Sequence, residues 1–127
     1  MRSKTKRSFN MLELMKMLIA LKYSCKNNHW KTNSYSAHLL YDRLQEDIDD
    51  MVDDIAEKYF MSFDKQNELG SDILSGEITE NVTQAIEAII KHVETMADSS
   101  DYDEGMTAMI TSMSENLHQK RTLSRMK

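Results

Sequence analysis

The sequence predicts an all-α protein built as a four-helix bundle with one long connection. Proline is absent from the 127 residues, and glycine occurs only at Gly70, Gly76 and Gly105. Because these two residue types disfavour helix interiors most strongly, their scarcity favours long, uninterrupted helices. Apolar residues recur at intervals of three and four along four segments, which is typical of helices with one buried face. The length suits one domain with a single core.

The first two predicted helices are long and separated by a short polar turn. The first spans residues 9–30, with Ser8 as its N-cap, and the second begins after Ser34 or Ser36 and runs to about Phe60. The first apolar stripe consists of Met11, Leu14, Met15, Leu18, Leu21 and Cys25. The second consists of Leu40, Leu44, Ile48, Met51, Val52, Ile55 and Tyr59.

A crossover over residues 61–78, which contains a short helix, leads to the second half of the chain. Thr79 is predicted to cap a third helix, and a fourth follows a loop at residues 98–103 and ends near Leu123. Their stripes comprise Val82, Ala85, Ile86, Ile89, Ile90 and Val93, then Met106, Met109, Ile110, Met113 and Leu117. A four-helix bundle with a long crossover between helices 2 and 3 has the ferritin-like topology.

The net charge of −5 is unevenly distributed along the chain. All 21 acidic residues lie within residues 10–117, and the two ends are basic. We expect a basic N-terminal tail over residues 1–9, one ferritin-like domain over residues 10–124 and a C-terminal tail over residues 125–127. The terminal cations are Arg2, Lys4, Lys6, Arg7, Lys120, Arg121, Arg125 and Lys127. Such basic ends either bind DNA or another anionic surface, or are solvated tails.

Five residues are candidate metal ligands: His29, His38, Asp42, Asp53 and Glu57. On a helix, residues four apart share a face, so His38 lies beside Asp42 and Asp53 beside Glu57. Imidazole with carboxylate suits iron, manganese or zinc. The two pairs are eleven residues apart, about 16 Å along a helix, which is too far for one metal to contact both. An antiparallel second copy would place Asp42 of one chain near Asp53 of the other and build two identical sites.

The direction of this stripe also favours a site between chains. At about 100° per residue, the four ligands on the second helix fall within an arc of about 100°. Its apolar stripe occupies a separate arc centred about 150° away. The apolar arc should therefore face the core, and the ligands should face outward. The chain also lacks the paired Glu-x-x-His motifs of metal sites that lie inside one bundle.

The His29–Trp30 pair, His38, Asp42 and the DDIAEK stretch that contains Asp53 and Glu57 together resemble the signature of the Dps family, the mini-ferritins. The resemblance covers roughly residues 10–118 and marks a short, divergent member. It implies a dodecameric cage built from two-fold dimers. In that cage the five ligands would be both catalytic and metal-binding. They would hold ferrous iron at sites between subunits, where hydrogen peroxide would oxidise it. The cage would store ferric mineral and protect DNA from oxidative damage.

Two other functions stay open. A catalytically inactive bundle would keep the fold and act as a structural or DNA-associated assembly protein. The spacing from His29 to His38, nine residues, is shorter than the family pattern and favours this alternative. An unrelated helical adaptor would use its carboxylates only for solvation. Trp30 is either a packing residue or an oxidisable neighbour of the iron.

Other features suggest the setting in which the protein works. There is one cysteine, Cys25, and the sequence shows neither a signal peptide nor a long apolar run. We expect a reducing, cytoplasmic location and no membrane partner. Asp101, Asp103 and Glu104 either line a cation-attracting three-fold pore or serve as acidic residues at a helix N-terminus.

Overall fold

Four α-helices account for most of the chain. The computed structural model describes residues 5–126, over which α1 spans Lys6–Lys31, α2 Tyr35–Asp54, α3 Val82–Asp98 and α4 Glu104–Arg125. No strand occurs within that range. The prediction of an all-α protein with four helices is confirmed.

The helix directions follow from the connections and from hydrogen bonds between distant segments. Thr32–Ser34 form a short turn, which makes α1 and α2 antiparallel neighbours. The Tyr102 hydroxyl donates to the Arg7 carbonyl, and the Thr79 N–H donates to the Ser24 hydroxyl. The end of α3 therefore lies near the start of α1, so α3 runs in the same direction as α2. Two parallel helices require a long connection between them, as the sequence predicted.

The predicted apolar stripes form the core. All six stripe residues of α1 are buried, and so are those of α2 except Val52, which is partly exposed. In α3 and α4 the partly exposed members of the stripes are Ala85, Met106 and Met109. Within residues 5–126, no helix is both long enough and apolar enough to cross a membrane.

The helix caps correct two predictions and confirm one. The Ser34 hydroxyl accepts a backbone N–H in the first turn of α2, as predicted. Ser8 is not an N-cap, because α1 begins earlier and the Thr5 hydroxyl accepts the N–H of Ser8. Thr79 does not cap α3 either: the cap is Asn81, whose side chain accepts a backbone N–H three residues later.

The boundaries of the two basic ends also change. Residues 6–9 are helical, so the predicted tail over residues 1–9 is too long. Residues 1–4 lie outside the described residues. At the other end α4 continues to Arg125, two residues beyond the predicted end near Leu123. Most of the terminal cations therefore belong to helices.

The crossover contains short helical turns and packs closely on α1. It holds two 3₁₀-helices, Gln66–Glu68 and Ser71–Leu74, which confirms the prediction of a short helix in this segment. A Cβ atom at Gly76 would lie only 2.7 Å from the Lys16 carbonyl oxygen. A glycine is needed there because the crossover backbone lies directly against α1.

Beyond Asp54 the second helix continues as a π-helix over Ile55–Met61. Hydrogen bonds between residues five apart mark this wider turn, such as the bond from the Ser62 N–H to the Glu57 carbonyl. With this period Phe60 lies close to Ile55 on the same face, so both are buried, while Glu57 stays exposed. Phe60 was not in the predicted stripe, which assumed α-helical geometry throughout.

A buried hydrogen bond fixes the π-helix to the start of α1. The Ser8 and Tyr59 hydroxyls are 3.0 Å apart, and both side chains are buried. Tyr59 also contacts Tyr102 edge-on, with ring centroids 6.4 Å apart. The segment that carries Glu57 is thus attached to two other parts of the fold.

Removing either hydroxyl should destabilise the protein, because the other is then left buried without a partner. We expect Tyr59→Phe and Ser8→Ala each to lower the free energy of unfolding by about 1–2 kcal/mol. The double variant should lose less than the sum, since removing both groups leaves no unpaired partner. Urea denaturation of the three variants measures this coupling, and strict additivity would contradict it.

Candidate metal centre

The outward face of α2 and the π-helix carries the predicted ligands. His38, Asp42, Asp53 and Glu57 are all exposed, and the apolar stripe of the same helix is buried. The helix therefore separates its two faces as the sequence predicted. Because side chains four residues apart lie on one face, each predicted pair presents its donors in the same direction.

Ion pairs within the chain neutralise the acidic residues on the flanks of this face. Lys22 of α1 lies 2.7 Å from Asp49, and Lys58 lies 3.5 Å from Asp54. On the other flank Lys120 of α4 lies 2.6 Å from Asp47. The flanks of α2 are thus held by cations from its neighbours and from its own next turn.

The five remaining acidic residues form what we call the acidic row. Its members are Asp42, Glu46, Asp50, Asp53 and Glu57. Within residues 5–126, no Lys, Arg or His lies within 4.0 Å of their carboxylate oxygens. Their spacings of four, four, three and four residues keep them on one face over about 22 Å of helix. The protein therefore exposes a line of unneutralised carboxylates.

The two histidines lie together at the start of this row. The His29 and His38 rings are stacked, with centroids 3.7 Å apart and planes inclined by 24°. Nδ1 of His29 lies 3.1 Å from the His38 carbonyl oxygen, and Nδ1 of His38 lies 3.4 Å from the His29 carbonyl oxygen. The three-residue turn between α1 and α2 produces this contact. The shortened spacing thus still brings both histidines to the same place.

These two hydrogen bonds determine which ring nitrogen is free. A carbonyl oxygen only accepts, so Nδ1 of each ring must donate its hydrogen. In a neutral imidazole the lone pair is then on Nε2. A backbone carbonyl that fixes the tautomer in this way is typical of histidines that bind metals. In the neutral form, both His29 and His38 therefore direct Nε2, rather than Nδ1, toward any metal ion.

A single chain does not complete a site. Within the described part of the chain, no group of three or more His, Cys, Asp or Glu side chains is close enough to hold one metal ion. The predicted ligands divide into two sets: His29, His38 and Asp42, whose two rings are in contact but which together are not close enough to hold one ion, and Asp53 and Glu57, about 16 Å further along α2. Neither set alone provides a complete metal site.

The structure also bears on the alternative roles of Trp30 and of the acidic residues before α4. Trp30 does not pack into the core of its own chain: it is 70% exposed, and the Lys26 ammonium lies 5.6 Å from its ring centroid. The prediction that these acidic residues lie at a helix N-terminus is confirmed for Asp103. Its carboxylate accepts the Met106 N–H and caps α4.

The basic C-terminal residues mostly interact with their own chain. Arg125 pairs with Glu87, Lys120 with Asp47, and an Arg121 guanidinium nitrogen lies 3.0 Å from Nδ1 of His118. A free basic patch at this end of the chain is therefore smaller than the composition suggests. At the other end Lys6 and Arg7 are exposed.

Comparison with known proteins places the chain in one family. The model of DUF5856, a family of unknown function, matches residues 29–121, and the chain belongs to that family. The match begins at His29 and includes all five predicted ligands. No curated protein matches the chain.

The ion pair of Lys120 should matter more for stability than that of Lys22. Lys120 is 8% exposed, whereas both side chains of the Lys22–Asp49 pair are substantially exposed. We expect Lys120→Met to lower the free energy of unfolding by about 1–3 kcal/mol, because it leaves the Asp47 carboxylate without its partner. Lys22→Met should change it by less than about 1 kcal/mol. Thermal and urea denaturation compare the two, and equal effects would contradict the prediction.

Proposed function

We propose that this DUF5856 protein is a ferritin-like iron protein of the Dps type, which oxidises ferrous iron at sites shared between two chains. The observation that carries the proposal is the exposed acidic row with stacked histidines at one end. Four of the five predicted ligands lie on one face of α2 and the π-helix, His29 lies at the end of α1, and neighbouring lysines neutralise only the acids beside that row.

An antiparallel second copy would complete both sets. If α2 of each copy lies along the other, His38 comes opposite Glu57, and Asp42 comes opposite Asp53. Two-fold symmetry then produces two identical sites, each with His29, His38 and Asp42 from one copy and Asp53 and Glu57 from the other. The exposure of these side chains leaves them available for such pairing.

The donors suit iron as a substrate that changes its oxidation state. Imidazole nitrogen binds ferrous iron well, and carboxylate oxygens stabilise the harder ferric ion. Two ferrous ions, one hydrogen peroxide and two protons give two ferric ions and two waters. Because two irons supply both electrons, peroxide is reduced without release of hydroxyl radical. Few protein ligands leave positions open for the oxidant.

The topology supports the same proposal at the level of the fold. The four helices, with a long crossover between α2 and α3, are compatible with the ferritin-like arrangement. The proposal extends to the dodecameric cage, ferric mineral storage, protection of DNA and a cytoplasmic location implied by the Dps resemblance. Contact with DNA would rest mainly on the N-terminal cations that include Lys6 and Arg7, because the C-terminal cations mostly interact within the chain.

One observation favours the inactive alternative. The stacked rings of His29 and His38 hold each other in place through reciprocal backbone hydrogen bonds. If the rings do not separate when iron enters, only one of them reaches a given metal ion. The protein would then keep the assembly without efficient oxidation. Measurement of iron oxidation distinguishes the two functions.

Complementation between inactive variants tests the shared site. We expect His38→Ala/Asp42→Ala and Asp53→Ala/Glu57→Ala each to lose peroxide-dependent oxidation of ferrous iron, because each lacks half of every site. In a mixed dimer one site loses all four groups and the other keeps them. Random mixing should therefore restore about a quarter of the wild-type sites.

The control is Asp98→Ala/Glu115→Ala, which removes two exposed carboxylates outside the α2 face and should keep full activity. Oxidation is followed by absorbance of the ferric product after anaerobic loading and peroxide addition. Native mass spectrometry confirms that mixed dimers form. Mixed dimers without recovered activity would contradict the shared site, and a wild-type protein that does not oxidise iron would support the inactive alternative.

A further inference from the structure

A groove between α2 and α4 lies beside the candidate metal centre and contains none of its predicted ligands. It has a volume of about 470 Å³ and runs between the second half of α2 and the first half of α4. Ligand pockets in proteins commonly have volumes of about 300–1,000 Å³, so the groove is large enough for a small molecule. What such a molecule must look like follows from the residues that line each side.

Small residues on α4 leave this space open. Gly105, Ala108 and Ser112 line the groove, and their spacings of three and four residues place them on one face of the helix. The floor consists of three methionines, the buried Met51 and Met113 and the partly buried Met109. Methionine side chains are flexible and polarizable, and they adapt well to a hydrocarbon chain that packs on them.

The wall that α2 contributes is acidic. Asp47, Asp50 and Asp54 line the groove over about 10 Å of helix. Asp47 has a close, largely buried partner in Lys120, whereas the 3.5 Å pair between Asp54 and Lys58 is exposed to solvent. Among residues 5–126, no cation lies within 4.0 Å of the Asp50 carboxylate. This wall therefore favours a molecule with positive charge.

The opposite wall contains a buried hydrogen-bond acceptor. Oδ1 of Asn116 is buried and accepts no hydrogen bond from residues 5–126. A buried carbonyl oxygen without a donor is unfavourable, so an N–H group that enters the groove gains a hydrogen bond there. Asn116 lies one turn before Lys120, which pairs with Asp47. Because α4 follows a short loop after α3, which is parallel to α2, α4 is antiparallel to α2, and Asn116 lies at about the level of Asp50.

We propose that this groove binds a linear polyamine, a chain of methylene groups that links two or more ammonium groups. One ammonium donates to the Asp50 carboxylate and to Oδ1 of Asn116, and the next lies beside Asp54, about 6 Å further along the helix. An extended four-carbon spacer separates two nitrogen atoms by about 6 Å, as ordinary C–N and C–C bond lengths require. The methylene groups between the two nitrogens lie on the methionine floor.

Both parts of such a ligand gain free energy in the groove. Hydrogen bonds from an ammonium to a carboxylate are stronger than those between neutral groups. The methylene groups cover the methionine side chains and remove apolar surface from water. Polyamine binding is independent of iron oxidation, since none of the five predicted metal ligands lines the groove.

A single metal ion or a monoamine cannot use the groove in this way. Within the described residues, no group of three or more His, Cys, Asp or Glu side chains is close enough to hold one ion. Thioethers are soft donors and do not suit Mg²⁺ or Ca²⁺. A monoamine reaches Asp50 but leaves Asp54 without a second ammonium. The groove therefore favours separated charges on a hydrocarbon chain.

Isothermal titration calorimetry with spermidine, which contains a four-carbon spacer, tests this binding in the absence of iron. We expect saturable binding of one spermidine per chain. Butylamine has the same four carbons and a single ammonium, and it should bind at least about tenfold more weakly because it makes only one of the two charge-assisted contacts. Titrations in Mg²⁺ and in Na⁺ at equal ionic strength should give the same affinity for spermidine. Displacement by Mg²⁺, or equal affinity for butylamine, would overturn the proposal.

Two variants locate the site, each with a matched control on the exposed face of α3. Asp50→Asn should weaken spermidine binding at least about tenfold, whereas Asp98→Asn, which changes the net charge equally outside the groove, should have little effect. Ala108→Leu fills the groove without any change of charge and should abolish binding. Thr95→Leu also adds apolar bulk at an exposed helical position, and it should leave binding unchanged. Circular dichroism and thermal denaturation establish that each variant is folded.

Non-specific attraction of a polycation to an acidic protein would give a different pattern. It would weaken equally in Asp50→Asn and Asp98→Asn, and it would persist in Ala108→Leu. Either result would overturn the groove as the binding site. Because every titration is done without iron, the outcome is also separate from the proposed function. Spermidine binding with this pattern in a protein that never oxidises iron would support the groove and refute the iron chemistry alone.

Discussion

The separation of charge around α2 is the constraint on which the rest of the structure depends. Leu44 and Ile48 are fully buried on one face, so the eight acidic residues between Asp42 and Glu57 must share the rest of the helix. Lysines from α1, from α4 and from the helix itself reach only three of them. The other five repel one another on the exposed face of this helix, which no neighbouring helix covers. A ligand or partner that binds this face must offset its excess of negative charge.

The π-helix shows how the core and the exposed face constrain each other at the end of this helix. In an α-helix, Ile55 and Tyr59 would share a buried face. Phe60, the next residue, would then point about 100° away from Tyr59. The wider turn buries all three and still leaves Glu57 exposed. Wider turns of this kind are frequent at functional sites, because they change the direction of a side chain without ending the helix.

Local patterns in the sequence were sufficient to predict the helices and the outward face of the candidate ligands, because apolar periodicity and burial have the same cause. Long-range contacts decided the rest. Ser8 resembles a cap but bonds to Tyr59, which is 51 residues away. The stacking of His29 and His38 depends on how tightly two helices turn, and spacing alone does not specify it. The limits of the acidic row are set by Lys22 and Lys120, which neutralise its flanks and lie far from α2 in sequence.

In the proposed function, the geometry of the row would link metal binding to the pairing of two chains. The two donor sets of one chain lie about 16 Å apart, so a metal that needs both kinds of donor binds a pair of chains more tightly than a single one. By thermodynamic linkage, cations that bind the dimer more tightly also favour its formation, by an equal factor. In such a dimer, the carboxylates that oppose association without metal would favour association once cations bind. In the proposed function, a chain that completes its site only with a second copy would confine iron oxidation to the assembled protein.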